Sequence, residues 1–362
     1  MKVTGVRMLH TLIVGLGRSG RKLHLPTLLR ARALAASADG DHSAAVPFSA
    51  HPILAFDRRL TPPPPAGVTL VRSLAEAAAT IDPSRTVVHL CTPPYARAST
   101  LNELAGLGFR RILVEKPLAT DLFGLDVVLR LRRRWDLDLT VTAHWLASAL
   151  TERLRSAIRD GDLGALRSMS IVQHKPRFQR SRHRRDHPTA FDVEIPHSLR
   201  LALDLAGRAH LLDASWSDLV FGGTRVPAMG GAHLSLVHAS GVRTDISSDL
   251  TSPVRERRIT LEFEEGTLTG HYPCSDADDT AQLRTRSAGH DSRELFTDDA
   301  LTAFLLRVYD RYATGRAGDG LTGHSDVVRL ITAAKTLCAS APPVAVQHAG
   351  AASPTEGLPA HV

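Results

Sequence analysis

TLIVGLGRSG occupies residues 11–20. Apolar, β-favouring residues run into a glycine-rich turn, and the apolar spacing that follows, Leu23–Leu34, is helical. A strand that feeds G-x-G-x-x-G and then a helix predicts a dinucleotide-binding βαβ unit. Gly15 permits the tight turn, Gly17 lets backbone approach a pyrophosphate, and Gly20 allows close helix–strand packing. Arg18 and Ser19 fall at the helix start, where free N–H groups and the positive end of the dipole meet phosphates.

Outward from that unit, the first 145 residues alternate short apolar runs with helical stretches, the pattern of a parallel sheet with crossover helices. The expected strands are His10–Gly15, Ile53–Asp57, Thr69–Val71, Thr86–Cys91, Arg111–Glu115 and Leu139–Ala143. The further helices are Leu74–Thr80, Ala98–Leu107 and Leu122–Arg134. Segment 37–50 has loop composition, and Pro62–Pro65 forms a stiff corner. From about residue 146 the texture changes. A helix over Thr151–Arg159 closes at Asp160-Gly161, and MSIVQHK, HLSLVHAS, RTDISSDL and RITLEFEEGTLTGHY then alternate with period two, as half-buried strands do. Helical spacing returns at Ile195–Leu205, Ala300–Tyr312 and Ser325–Ala339. The expected fold is α/β. An N-terminal doubly wound parallel sheet of Rossmann type spans 1–145, and a C-terminal α+β domain on a largely antiparallel sheet, for substrate and oligomerisation, spans 146–346; 347–362 reads as a disordered tail.

A length of 362 residues suits two domains at roughly 100–200 residues each. With 43% hydrophobic and 22% charged residues, wholesale disorder, collagen-like structure and coiled coil are excluded. No apolar run nears the roughly 18 residues that cross a bilayer, so no membrane partner is expected, and the N-terminal stretch reads as a first strand rather than a signal peptide. Cys91, Cys274 and Cys338 lie far apart with no CxxC, which supports neither a disulfide framework nor a metal site and suits a cytoplasmic location. Much of the formal charge of +7 sits between His174 and His187, where Lys175, Arg177, Arg180, Arg182, Arg184 and Arg185 face Asp186 alone. Aromatics make up only 5%, so stacking platforms are scarce and a local anion site is expected rather than a nucleic-acid partner. A mobile loop or an oligomer contact is the competing reading of that stretch.

The second strand ends on Asp57, 37 residues after Gly20 where about 20 is usual; the 37–50 insertion accounts for the excess unless it is itself a strand. The Asp57 carboxylate would accept from ribose hydroxyls and repel a 2′-phosphate, so NAD is favoured, while Arg58 and Arg59 leave NADP open. The carboxyl ends of the fourth and fifth strands flank the ligand crevice of such a sheet. They carry TPPYAR, with Thr92, Pro93 and Tyr95, and Glu115-Lys116-Pro117. A lysine placed there and backed by proline is poorly explained by stability.

Four features carry a family likeness: GxGRxG-x3-H-x-P (Gly15–Pro26), the turn Thr92-Pro93, EKP at 115–117 and DGDLGAL at 160–166. Through them residues 10–346 resemble the Gfo/Idh/MocA family of NAD(P)-dependent oxidoreductases, relatives of glucose–fructose oxidoreductase and inositol dehydrogenase. The resemblance implies that Lys116 touches nicotinamide and the reacting oxygen. Burial and the positive charge of oxidised nicotinamide would both disfavour the ammonium, so Lys116 can exchange a proton near neutrality. The family's D-x-x-x-H signature falls on FDVEIPHSLRLALDLAG (191–207), with His197 in the acid/base position and Val193 where the aspartate belongs. Glu194 and Asp192 are the candidate replacements. Glu194 would share a helical face with His197, subject to the restriction Pro196 places on Ile195, and would orient the imidazole and favour its charged form. Further implied are His144 and Trp145 in the cleft, with Trp145 equally suited to interdomain core, and Arg97 where relatives carry histidine. Arg177 joins Lys116, His144, Trp145 and His197 as substrate contacts; Arg58, Thr92, Pro93, Tyr95 and Glu115 join the glycine turn as cofactor contacts.

The expected function is hydride transfer between nicotinamide and a secondary alcohol or ketone of a sugar, cyclitol or related polyol, anionic ones included. The rival is a catalytically inactive NAD(P)-binding sensor or regulator with the same fold, motivated by Val193. A homodimer or homotetramer is implied by the resemblance alone.

Overall fold

The computed structural model describes residues 8–37, 47–59, 64–183, 187–275, 277–318 and 320–340. The first sheet contains β1 (His10–Val14), β2 (Ile53–Phe56), β3 (Val68–Leu70), β4 (Thr86–Leu90), β5 (Arg111–Val114) and β6 (Asp138–Val141), in the order β3-β2-β1-β4-β5-β6. Every pairing in it is parallel. Crossovers run through α1 (Leu25–Ser37), α2 (Leu74–Thr80), α3 (Arg97–Gly106) and α4 (Leu122–Trp135). Helices on both faces explain why β4 is buried at every position and reads as a continuous rather than alternating run. The order reverses between β1 and β4, and a doubly wound sheet opens its ligand crevice at that point.

Each expected strand of this half lies within two residues of its observed bounds. The first helix differs. It opens with a π-type turn over Gly20–His24, in which the Leu25 N–H reaches back to the Gly20 carbonyl. Pro26 has no N–H to give the Lys22 carbonyl, and in a regular α-turn its ring would press against that carbonyl. The wider turn avoids both conflicts. Residues 47–50 form a single bridge, Leu9 with Phe48, and no strand. Residues 38–46 of that insertion, Pro62 and Pro63, Arg184–Asp186 and everything from 341 on, including the end of the second domain and the tail, lie outside the described residues.

The second half holds α5 (Ala149–Asp160), β7 (Leu166–His174), α6 (Phe178–His183), α7 (Ile195–Ala206), β8 (Ala209–Phe221), β9 (Thr224–His238) and β10 (Arg243–Asp249). It continues with β11 (Glu256–Phe263), β12 (Gly266–His271), β13 (Thr280–Ser287), β14 (His290–Thr297), α8 (Ala300–Thr314) and α9 (Thr322–Ser340). Its sheet runs β14-β13-β12-β11-β7-β10-β9-β8, antiparallel except for the parallel pair β7 and β10. The sequence reading does not anticipate β8, β13, β14 or α6. β14 is an edge strand exposed along nearly its whole length, so it has no apolar alternation to read, and β8 carries two register shifts that break its period.

Two helices of the second half also serve the first. Phe304, Leu305, Val308, Tyr309 and Tyr312 of α8 pack with Leu9, Ile13, Val87 and Leu113 of the parallel sheet. On α9, Val328 joins the first domain's other core cluster while Val327, Ile331 and Ala334 join the second domain's. Among the described residues no helix is long and apolar enough to cross a membrane.

Gly20 is where the helix meets the strand most closely, since a Cβ there would lie 2.0 Å from the Gly15 carbonyl oxygen. The nearest atoms are Gly15 backbone, which cannot swing aside as a flexible side chain would. Gly20→Ala should cost about 3 kcal/mol, the upper end of overpacking penalties, and urea denaturation would reveal it as a lowered midpoint; an unchanged midpoint would contradict the close packing.

Candidate active site

The glycine turn closes over the carboxyl end of β1. Gly15 has φ +97°, a region that suits glycine, and a Cβ there would meet the Cys91 carbonyl at 3.1 Å. Gly17 faces open space, with nothing within 4 Å of where a Cβ would be. Asp57 fastens the turn: its Oδ2 accepts from the Leu16 N–H at 2.7 Å and its Oδ1 from the Arg59 N–H at 2.8 Å. Arg18 is exposed, Ser19 half-buried, and the exposed Arg58 pairs at 3.4 Å with Glu103.

Across the switch point, Thr92 and Pro93 follow β4. The Thr92 hydroxyl is buried with no hydrogen-bond partner among the described residues, whereas Tyr95 stands 77% exposed at the rim. Arg97 points inward, 1% exposed. Its guanidinium donates to the carbonyls of Pro117, Leu118 (3.1 Å) and Thr92 (3.4 Å), so it ties the segment after the cis Lys116-Pro117 bond to the turn after β4. Arg97 thus clamps two loops from beneath.

Lys116 reaches into the second half, its Nζ donating to the Val193 carbonyl at 2.5 Å. Lys116 and His197 line one cavity of about 10 Å³, room for roughly a single water, together with Thr142, Trp145, Arg200 and His324. Trp145, 4% exposed, stacks on Tyr272 at 4.4 Å between ring centres and lies 6.2 Å from the His197 ring; the His144 ring is 5.0 Å from His197. Trp145 therefore belongs to the core and floors the cavity as well. Burial lowers Lys116 to about 8, helped by Arg177 and Arg180 and opposed by Glu115 and Asp192. His144 falls to about 4, chiefly through burial and Arg257. His197 lies well below its ordinary range because it is buried and faces Lys116, His144, Lys175 and Arg257.

The geometry expected for Glu194 differs from what is found. Its carboxylate pairs with Lys175 and makes no hydrogen bond to His197. Asp192 is committed elsewhere, accepting from the Thr189 N–H (3.0 Å) and hydroxyl (2.9 Å) and from Lys335 Nζ (2.6 Å). The reason is local. Residues 190–192 form a 3-10 turn capped by Thr189, and Glu194 is the N-cap residue of α7, so neither carboxylate projects one helical turn ahead of His197. The imidazole is uncharged at neutral pH and held by its aromatic neighbours.

A buried polar chain missed by the sequence reading begins at Glu115. His24 Nε2 lies 2.6 Å from the Glu115 carboxylate, His24 Nδ1 2.8 Å from His89 Nδ1, and His89 Nε2 3.0 Å from the Tyr309 hydroxyl, which meets Thr11 Oγ1 at 2.7 Å. Burial opposes charge on His24, but the Cys91 sulfur and Glu115 outweigh it and raise its pKa. His89 moves down through burial and its charged neighbour His24. A charged His24 donates at both nitrogens, to Glu115 and to a neutral His89. His24 was legible as part of GxGRxG-x3-H-x-P; Tyr309 and Lys335 had no local signal. Among the described residues no group of three or more His, Cys, Asp or Glu side chains is placed to hold a metal ion.

No protein-family model and no curated protein matches the chain. Solved structures do. The 3-ketoreductase KijD10 of Actinomadura kijaniata, in complex with NADP and TDP-benzene, superposes with a TM-score of 0.71 at 14% identity, covering 92% of this chain and 98% of that one. The aldose-aldose oxidoreductase of Caulobacter crescentus, complexed with glycerol, gives 0.71 at 17% identity over 92% and 98%. These likenesses show the fold: a parallel six-stranded sheet joined to a mixed eight-stranded one.

His24→Ala should cost about 3–5 kcal/mol, because it leaves the Glu115 carboxylate buried without its partner. The pH dependence has a definite sign. With its folded pKa raised, His24 contributes fully below about 6.5 and loses that contribution as pH climbs toward about 10. The gap in urea midpoint between wild type and His24→Ala should therefore shrink from pH 6 to pH 10, and a constant gap would rule out a charged His24.

Proposed function

We propose that the chain is an NAD(P)-dependent oxidoreductase that moves a hydride between nicotinamide and a secondary alcohol or ketone carbon of a sugar, cyclitol or related polyol. The supporting observation is that Lys116 and His197, from different halves of the molecule, line one cavity near the reversal of strand order. The residues present fit a dinucleotide: Gly17 leaves space for phosphate, and the buried Thr92 hydroxyl lacks a partner among the described residues. Gly15, Gly17, Arg18, Ser19 and Gly20 would hold the pyrophosphate, Asp57 and Arg58 the adenosine end, and Thr92, Pro93, Tyr95, Glu115 and Lys116 the nicotinamide end. Asp57 favours NAD, while the exposed Arg58 and the NADP in the KijD10 complex keep NADP beside it.

Nicotinamide, when bound, supplies the hydride acceptor or donor. The chain's own task is the substrate proton. Lys116, near 8, is partly neutral at working pH, so Nζ can take the hydroxyl proton as the alcohol is oxidised and return it in reduction. His197, uncharged, hydrogen-bonds the same oxygen and orients it. Arg97 keeps the Lys116 loop in register with the Thr92 turn. The same reading includes self-association through the open face of the second sheet, whose strands expose Leu212, Val220 and Leu295.

Lys116→Ala should abolish turnover on a panel of sugars and cyclitols while dinucleotide affinity, followed by fluorescence, stays within about threefold; undiminished turnover would remove Lys116 from the chemistry. Gly17→Ala should weaken dinucleotide binding at unchanged stability, because its Cβ occupies space left for phosphate and touches no protein atom. For alcohol oxidation, kcat/KM should rise with pH through about 8, since the neutral lysine is the acceptor, and reduction should show the opposite limb. Cofactor binding without turnover on any polyol would favour the sensor instead.

A further inference from the structure

We propose that the basic side chains of Lys175, Arg177, Arg180 and Arg257, gathered beside Lys116, receive an oxyanion of the substrate, a phosphate or carboxylate. The proposal rests on the oxidoreductase reading for the rest of the substrate and narrows it to anionic sugars or polyols.

The cations come from three elements and converge. Lys116 Nζ ends on the Val193 carbonyl and Lys175 Nζ on the Glu194 carboxylate, so two lysine side chains from different halves meet at consecutive residues. The segment after β7 is fixed against the end of β10, with the Lys175 N–H donating to Asp249 and the Arg177 N–H to Leu250, both at 2.9 Å. Arg177 is thereby held 4% exposed, and Arg180 follows three residues later on α6. On β11, Arg257 pairs in register with Gln173, whose side chain accepts from Ser198 on the His197 helix. The electrostatics agree. Arg177 and Arg180 depress Lys116, Lys175 and His187, while Arg257 depresses Lys175, His144 and His197; burial is the larger cause for each.

The nearby carboxylates are already committed, Glu115 to His24, Asp192 to Lys335 and Glu194 to Lys175. Gathering cations where water is scarce is unfavourable unless an anion joins them. The arginines hold contacts of their own, and the five N–H donors of a guanidinium serve a second acceptor without surrendering the first. Paired N–H groups in a planar fork match the two oxygens of a phosphate or carboxylate.

The test is calorimetric titration of the full chain, loaded with reduced dinucleotide, by inorganic phosphate, by glucuronate and by glucose as the neutral control. At least one oxyanion should bind saturably, more weakly as salt rises, and at least tenfold more weakly in Arg180→Gln and in Arg257→Gln. Both arginines are only partly buried, so these variants spare the core, and circular dichroism would verify their fold. Phosphate binding alone assigns a phosphoryl group, and glucuronate binding alone assigns a carboxylate. Binding of neither, or affinity unchanged in both variants, overturns the proposal. Oxyanion binding without turnover on any sugar would uphold this site and sink the oxidoreductase reading; turnover on neutral sugars without oxyanion binding would do the reverse.

Discussion

Charge removed from water must find a counter-charge or a row of dipoles, and the region between the two sheets is organised by that requirement. Glu115 has His24, Asp192 has Lys335 and Thr189, and Glu194 has Lys175. Arg97, without a carboxylate bond, is satisfied by carbonyl oxygens on two loops. Several of these pairs span the molecule: Lys335 lies on α9, and the chain from Glu115 reaches Tyr309 on α8. The two halves are therefore joined by polar groups that lose much if separated, as well as by the apolar faces of α8 and α9.

The parallel half was legible because its signals are local. A strand buried on both faces is a continuous apolar run, and β1, β4 and β5 read so directly. The antiparallel half was legible only where one face is buried. β9, β10 and β11 alternate and were read; β14, solvated almost throughout, did not. The π-type turn at Gly20–His24 follows from Pro26, yet a proline inside a helical pattern can equally end or kink a helix, and the sequence does not choose among these.

The site divides in the same way. Lys116 stood out in the sequence because EKP sits at a strand's carboxyl end, where a doubly wound sheet opens its crevice. That no carboxylate among the described residues reaches His197 was not visible there. Two carboxylates lie within five residues before it, and their destinations are set by Lys175 and Lys335, residues whose positions depend on the whole second domain. His24 lies in the glycine-turn motif, but its contacts with Glu115 and His89 arise only once the sheet is assembled and leave no local trace in the sequence.

The commitment of these carboxylates bears directly on Lys116. An ammonium hydrogen-bonded to a carboxylate has its pKa raised, and a lysine so held stays charged through neutrality. Here Glu115, the adjacent residue, is turned to His24, and Lys116 gives its hydrogen bond to a neutral carbonyl at Val193. Glu115 and Asp192 still favour the ammonium through space, but burial and the nearby arginines prevail. Val193 offers Lys116 only its backbone carbonyl, since its side chain is buried in the apolar core. What remains is an imidazole whose charged form burial disfavours beside a lysine whose ammonium is disfavoured as well.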